Sequence, residues 1–410
     1  MLDNLKFAQY VNEERKKLIK STRERGVYVE DNATLSEVVA RNSEIQPYEA
    51  TSTDKISVTF LDADGTLLKR EYLDIGGTAT APSNPILDSD YLTFSGWSDT
   101  ELTNITESKT IYATYTTKDN ATYIFIHIPT ANKAISLSFD GTITSVDWGD
   151  GTTDATKSHT YSAIGDYVIK VVGGNSITNY ILGGSSNNAC VLKCYLSNTM
   201  TSIGQYTFSH CYSLTNIYVP NNITRISQNT FEHCHSLNSV ILPSTIKSID
   251  QGAFEYCYSL TNINLPNNIT SIGNYAFENC YSLKNITLPN NIVTIGDQIF
   301  YYCYSLTNIN LPNNTTRIGY HAFAYCSSLT SITIPESVKS IDGTAFSGCH
   351  NLKQVIINAD IVVTIQSDSF STNAYNTKFY VPDNLVEDYK VATNWVNFAD
   401  RIYPLSSLGV

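Results

Sequence analysis

Seven cysteines of this 410-residue chain recur every 23 residues: Cys211, Cys234, Cys257, Cys280, Cys303, Cys326 and Cys349. Whole segments recur with them, as in CYSLTNINLPNNITSIGNYAF. A fixed period of this length means stacked copies of one supersecondary unit, because a single copy cannot bury its own apolar side. Solenoids of this kind present extended surface and seldom enclose the pocket that catalysis needs. The period alone therefore points to a binding protein.

Each copy opens with Leu-x-x-Ile-x-Leu-Pro, as in Leu260, Ile263, Leu265 and Pro266. The last two apolar positions lie two residues apart, which is strand alternation toward one core. Proline then ends the ladder, since it lacks an N–H to donate. Asn-Asn makes the next turn in four copies, beginning at Asn221, Asn267, Asn290 and Asn313. A second apolar set follows, with Ile272 and Phe277 in the same copy. Segments such as IGNYAFENC predict a short helical or 3₁₀ turn on the convex side.

The period, the Leu/Ile/Pro pattern and Phe-x-x-Cys together resemble the BspA-like leucine-rich repeats of bacterial surface proteins, over roughly residues 188–404. A degenerate first copy is found 23 residues back, with Val191, Cys194, Leu196, Met200, Ile203 and Phe208. The register slips by one near Thr364, so Ile365 and Phe370 fill their columns one residue late. The end, KFYVPDNLVEDYKVATNWVNFADRIYP, looks like the family's C-terminal cap. It implies a last strand plus an amphipathic helix with Val386, Tyr389, Trp395 and Ile402 turned inward. Eight parallel strands, spaced by about 4.7–4.9 Å, are expected. The cysteines read as buried free thiols rather than disulfides or metal ligands. Nine is an odd number, and no CxxC or zinc-type His/Cys cluster appears. No metal and no cofactor are expected.

Two β modules precede the repeats. In residues 51–118, Ile56, Val58 and Phe60 alternate, Asp64-Gly65 is a hairpin turn, and Phe94, Gly96, Trp97 and Ile111, Ala113, Tyr115 follow. The string VTFLDADGTLL…YLTFSGWSD…TIYATY resembles the internalin B-repeat module, which implies a small β-grasp-like spacer. Asp62-Ala-Asp64-Gly lacks the distal glutamate of a calcium loop and reads as a turn. In residues 119–184, Trp148-Gly149-Asp150-Gly151, His159-Thr160-Tyr161, Gly165 and Tyr167-Val168-Ile169 resemble a PKD-type domain, which implies an immunoglobulin-like sandwich. Ser158, His159 and Asp150 have the residue types of a hydrolytic set, but no oxyanion-hole signal accompanies them, and no catalytic residue is assigned.

Residues 1–50 differ again. Segment 4–25 has helical composition and a basic end, and Thr34-x-x-Glu37 is a capping box. The pattern resembles N-terminal attachment segments of phage tail and fibre proteins, which implies docking on other virion proteins. The fold expected is thus multidomain and mainly β. An N-terminal helical attachment segment (1–50) is followed by a β-grasp-like module (51–118), an immunoglobulin-like domain (119–184) and a capped leucine-rich solenoid (185–410).

The net charge of −12 argues against nucleic acid as a partner. No run of 18 apolar residues predicts membrane insertion, and MLDNLKFAQYVNEERKKLIK carries no apolar leader core. A homo-oligomer is expected, a trimer being one option, although no heptad run demands it. The binding face is expected on the concave strand side, where Asn262, Asn285 and Asn308 form one outward column and Asn264, Thr287 and Asn310 another. Tyr258, Tyr281 and Tyr304 run beside the cysteines and offer faces for sugar rings. The leading expectation is a non-enzymatic phage virion fibre, tail- or capsid-associated adhesin that binds a host-surface glycan or protein. The alternative is a secreted BspA-like bacterial surface adhesin. An enzyme hidden in the repeats lacks any supporting constellation.

Overall fold

The computed structural model describes residues 55–62, 67–85, 90–373 and 376–408. The chain divides into two compact units. One comprises residues 1–57, 72–78 and 103–108, and the other 58–71, 79–102 and 109–410. In the first unit the described backbone is limited to strand ends and a bridge between Gly77 and Ile105. The attachment segment 1–50 and the Asp64-Gly65 turn lie outside the described residues.

The second unit is mainly β, and residues 176–404 form a β-solenoid of about ten turns. The eight expected strands are present, from Val191–Tyr195 through Asn262–Asn264 to Gln354–Ile357. Two further strands at the C-terminal end, Lys378–Val381 and Ile402–Pro404, extend the parallel stack. In each strand from Asn216–Tyr218 to Gln354–Ile357 the isoleucine or valine of one column enters the core, and Cys194 takes its place in the first strand. Leu260, Ile263 and Leu265 are all buried.

The expected helical turn after each strand does not form. Ser271–Ile272 and its equivalents make a second set of two-residue parallel strands, and tight turns follow. The reason lies in two positions per repeat with left-handed backbone, Tyr275 (φ 61°) and Asn279 (φ 58°) in the copy around Phe277. They interrupt any helical run and turn alternate N–H groups toward the next repeat. Tyr275, Phe277 and Asn279 donate to the carbonyls of Asp297, Ile299 and Tyr301, at 3.1, 3.0 and 2.8 Å. A non-glycine residue in this conformation costs roughly 1–2 kcal/mol, which the inter-repeat bonds and the packing beneath them offset.

Beneath those turns the phenylalanines from Phe208 to Phe370 stack ring on ring, with centroids 5.2–5.7 Å apart. All nine cysteines are free and buried. Their role is more specific than filling space. The six thiols from Cys234 to Cys349 each donate to the carbonyl of the phenylalanine in the preceding repeat, as from Cys280 to Phe254 at 3.3 Å and from Cys349 to Phe323 at 3.1 Å. That carbonyl also accepts the N–H of its own repeat's cysteine, as Phe277 does from Cys280 at 3.2 Å. Burial pushes the Cys349 thiol up to about 12 and raises the other ladder thiols for which a shift is resolved.

Residues 119–184 do not end in a break at 184. Strand Thr122–Ile128 pairs antiparallel with Gly165–Gly173 on one edge and with Val191–Tyr195, the first solenoid strand, on the other. One sheet and one core therefore run across the expected boundary, and the solenoid has no open strand edge at this end. Trp148, Tyr161, Ile169 and Val171 are buried on this side. The Trp-Gly pair has a steric reason: a Cβ on Gly149 (φ 81°) would lie 2.7 Å from the carbonyl oxygen of Val168. Asn188 is fully buried and completes the junction. It accepts the Leu182 N–H and donates to the carbonyl of Ser209 and to that of Thr207, which also accepts the Ile181 N–H.

At the other end the expected single helix is divided. Val386–Val391 is α-helical, Trp395–Arg401 is 3₁₀, and Ile402 begins a strand. Tyr389, Trp395 and Ile402 are buried, whereas Val386 is half-buried. Trp395 Nε1 donates to the Val363 carbonyl at 2.7 Å, and the Tyr389 hydroxyl donates to that of Ile361 at 3.0 Å. In the upstream module, Val58–Leu61 pair in parallel with residues 109–112, and Leu92–Trp97 antiparallel with 113–117.

Candidate functional site

Parallel stacking at constant register turns a sequence period into rows of identical groups. Asn262, Asn285 and Asn308 pair in register along the outer strand face, and Thr287 lies opposite Asn310. Asn264 begins the second row opposite Ile241. All of these are exposed except Asn264, which is half-buried. The rows carry no charge over these three repeats, so they offer hydrogen-bond donors and acceptors without a field. Asn262 is not wholly free for a ligand, because its amide reaches the hydroxyl of Tyr112, on the module strand Lys109–Thr117, at 3.5 Å. The open stretch begins at Asn285.

The tyrosine column differs from its expected role. Tyr258 and Tyr281 stack at 4.7 Å with planes 16° apart, Tyr281 and Tyr304 at 5.1 Å, and His235 continues the column onto Tyr258 at 4.5 Å. The facing sides of Tyr258 and Tyr281 are thus taken up by one another, whereas Tyr304 lies tilted by 40° against Tyr281 and is 41% exposed. Ring stacking on a sugar is left to the end of the column rather than to its whole length. A second column, His210, His233 and Tyr256, runs alongside, with His233 on Tyr256 at 4.3 Å.

Next to these lies a row that the sequence reading passed over: Glu232, Glu255 and Glu278, each directly after a ladder phenylalanine. Their 23-residue spacing was available as a signal. Among the described residues no lysine or arginine forms an ion pair with them. Glu232 accepts from Ser209 at 3.0 Å and Glu278 from Asn279 at 3.2 Å. Burial, then the neighbouring carboxylates, raises Glu255 to about 7, and burial raises Glu278 to about 7. Burial and the other imidazoles lower His235 to about 4. Near pH 6, Glu255, Glu278 and His235 are therefore mostly uncharged.

The hydrolytic residue types in the upstream domain do not come together as a triad. His159 bonds Asp150 at 2.7 Å and stacks on Trp148 at 5.0 Å, which explains both residues structurally. Asp150 is lowered: burial raises it, but its hydrogen bonds with His159 and Thr152 outweigh that.

The model of the BspA type leucine rich repeat region matches residues 177–307 and 293–392, in six copies. No curated protein matches the chain. Among solved structures, the chain is similar to a leucine-rich repeat protein of T. pallidum, with 25% identity over 44% of this chain and 84% of that one, at a TM-score of 0.38. It is also similar to a leucine-rich repeat protein of Bacteroides ovatus, with 24% identity over 52% of this chain and 66% of that one, at a TM-score of 0.34. A leucine rich cell surface protein of Faecalibacterium prausnitzii shares 19% identity over 66% and 97% of the two chains, at a TM-score of 0.28. The matched segments together run from residue 177 to 392, more than half of the sequence, and the chain belongs to the BspA type leucine-rich repeat family.

Proposed function

We propose that this chain is a bacterial cell-surface or secreted repeat protein of adhesin type, non-enzymatic, that holds a glycan or protein on its outer strand face. The observation that carries the reading is the uncharged row of amides and hydroxyls at Asn285, Asn308, Thr287 and Asn310, repeated at strand spacing. Such a row matches a partner that is itself extended or repetitive. Each contact is weak, so useful affinity comes from several sites and several copies. Residues 51–118 and 119–184, with their internalin B-repeat and PKD resemblances, serve in this reading as a spacer and as the inner end of the solenoid.

The family match favours this reading over the virion one. The virion reading stands on residues 1–50, which lie outside the matched segments and the described residues. The test uses the full chain, fluorescently labelled, on immobilised mucin and on cultured epithelial cells. Changing Asn285, Asn308 and Asn310 together to Ala is expected to abolish attachment, and attachment by the parent chain is expected to vary little between about 50 and 200 mM salt, unlike a phosphate-reading surface. Undiminished attachment by the triple variant would refute the strand face as the contact surface. Co-purification with virus particles, but not with cell envelopes, would restore the virion reading.

A further inference from the structure

At its N-terminal end the outer strand face changes character. The same columns that carry amides farther along begin with Lys193 and Asn216 in one and Tyr195 and Tyr218 in the other, each pair in register. Here the face is roofed by the upstream module, whose Leu92, Ala113 and Tyr115 pack near Tyr195 and Tyr218. Between roof and floor lies a cleft of about 380 Å³. That volume is within the range of about 300–1,000 Å³ common for small-molecule sites.

The lining is aromatic and polar in alternation. Tyr91 and Phe125 meet edge-on at 5.2 Å, as do Phe125 and Tyr195. Unlike the stacked column of Tyr258 and Tyr281, these rings do not cover one another face to face. Among them sit the Asp62 carboxylate, which accepts from the Tyr115 hydroxyl, the exposed Asp90 and Lys193, and the half-buried Asn216. Ring faces beside carboxylate and amide groups fit a polyol ring. Its C–H faces lie on the tyrosines, and its hydroxyls donate to carboxylates and exchange with amides. Two carboxylates against one ammonium disfavour an acidic ligand.

We propose that this cleft binds a neutral saccharide, with Tyr195 and Tyr218 as ring platforms and Asp90 and Asn216 as hydroxyl partners. It rests on the reading of the strand face as the binding face and adds a defined pocket where the amide rows begin.

The experiment is saturation-transfer difference NMR on the full chain, with lactose, cellobiose, maltose and diacetylchitobiose as probes at millimolar concentration. Transfer to ring C–H protons of at least one probe is expected, and its affinity should fall by about 3–10-fold in Asn216→Ala and in Asp90→Asn. Tyr218→Ala should abolish it. Because that change also removes packing against the module, the two polar variants carry the decision. The Asn285/Asn308/Asn310→Ala variant is expected to leave probe affinity within about two-fold while losing surface attachment. Absence of transfer from all four probes overturns the proposal, as does binding untouched by the cleft variants. Probe binding lost only in the triple variant would sink the cleft and leave the strand-face reading standing.

Discussion

The buried and the exposed columns of this solenoid obey the same 23-residue interval but not the same rules. Inside, phenylalanine repeats unchanged from Phe208 to Phe346, and cysteine from Cys211 to Cys349. Outside, the column that starts with Tyr195 reads, from Tyr218 on, Tyr, Ile, Asn, Thr, Asn, Thr, Ile. A buried side chain here touches its own copy above and below, so its size and its donor are fixed by itself. An exposed one need only stay soluble and avoid like charge. Uniformity within the stack thus reports packing, and function has to be sought on the outer columns: at Asn285–Asn310, at the glutamate row and at the tyrosines of the first two strands.

The sharpest way to break this contrast is at the phenylalanine ladder. Phe277→Ala is expected to cost about 3–5 kcal/mol, measured by urea denaturation, because the rings on both sides keep the vacated space open. A loss below about 1 kcal/mol would mean that the ladder is not self-templated. The N-terminal junction comes next. Asn188→Ala leaves the Leu182 N–H and the Ser209 carbonyl buried without their partner, at about 2–4 kcal/mol. The same measurement with Asn198 or Asn222, near the surface, should show far less.

The glutamate row should respond to pH. Glu255 and Glu278 titrate at about 7 in the folded chain, above the ordinary 4.5. Their protonated forms therefore add stability that is full below about pH 4.5 and lost as pH rises through about 7. His235, lowered to about 4, acts in the opposite sense: its contribution is full above about 6.5 and lost as pH falls through about 4. Glu255→Gln with Glu278→Gln should raise stability at pH 8 by about 1–2 kcal/mol and change it little at pH 5. The value is set well below a full conversion of the shifts because the row borders water. An equal gain at both pH values would show that charge is not the cause.

The cysteine ladder is expected to be milder. Cys280→Ser keeps a donor for the Phe254 carbonyl, so it should cost about 1 kcal/mol or less, with Cys280→Ala somewhat worse. In the native chain the seven ladder thiols should resist iodoacetamide until the protein unfolds, which mass spectrometry reads directly. Smallest of all, Asn285, Asn308 and Asn310 changed to Ala should each alter stability by under about 0.5 kcal/mol, so lost attachment in that variant would not reflect unfolding.

The sequence made the strand columns, the proline stops, the degenerate first copy and the C-terminal cap legible, because each repeats or visibly stops repeating. It hid what depends on pairing across unlike segments. Nothing in Thr122–Ile128 announces that it will join Val191–Tyr195, since the two share no period. The left-handed positions were signalled in only some copies, for Asn229, Gly252, Asn279 and Gly348 favour positive φ, whereas Tyr275 and Gln298 at equivalent places do not. The tyrosine column was visible, but the fate of its ring faces was not, because stacking distance is a property of the assembled turn. Whether Asn262 is open depended on Tyr112, 150 residues away.

Each turn from Phe208 to Phe323 gives N–H groups to the turn after it and takes a thiol proton from it at the phenylalanine carbonyl. Upper and lower faces of a unit therefore differ from each other but match those of any other unit. A gene that duplicates or loses one 23-residue segment between Cys234 and Cys326 creates no junction that the parent lacks. Reach can lengthen or shorten by about 4.8 Å per unit, while Asn188 at one end and Trp395 at the other stay single. Inheritance can thus tune how far this chain extends without redesigning how it folds.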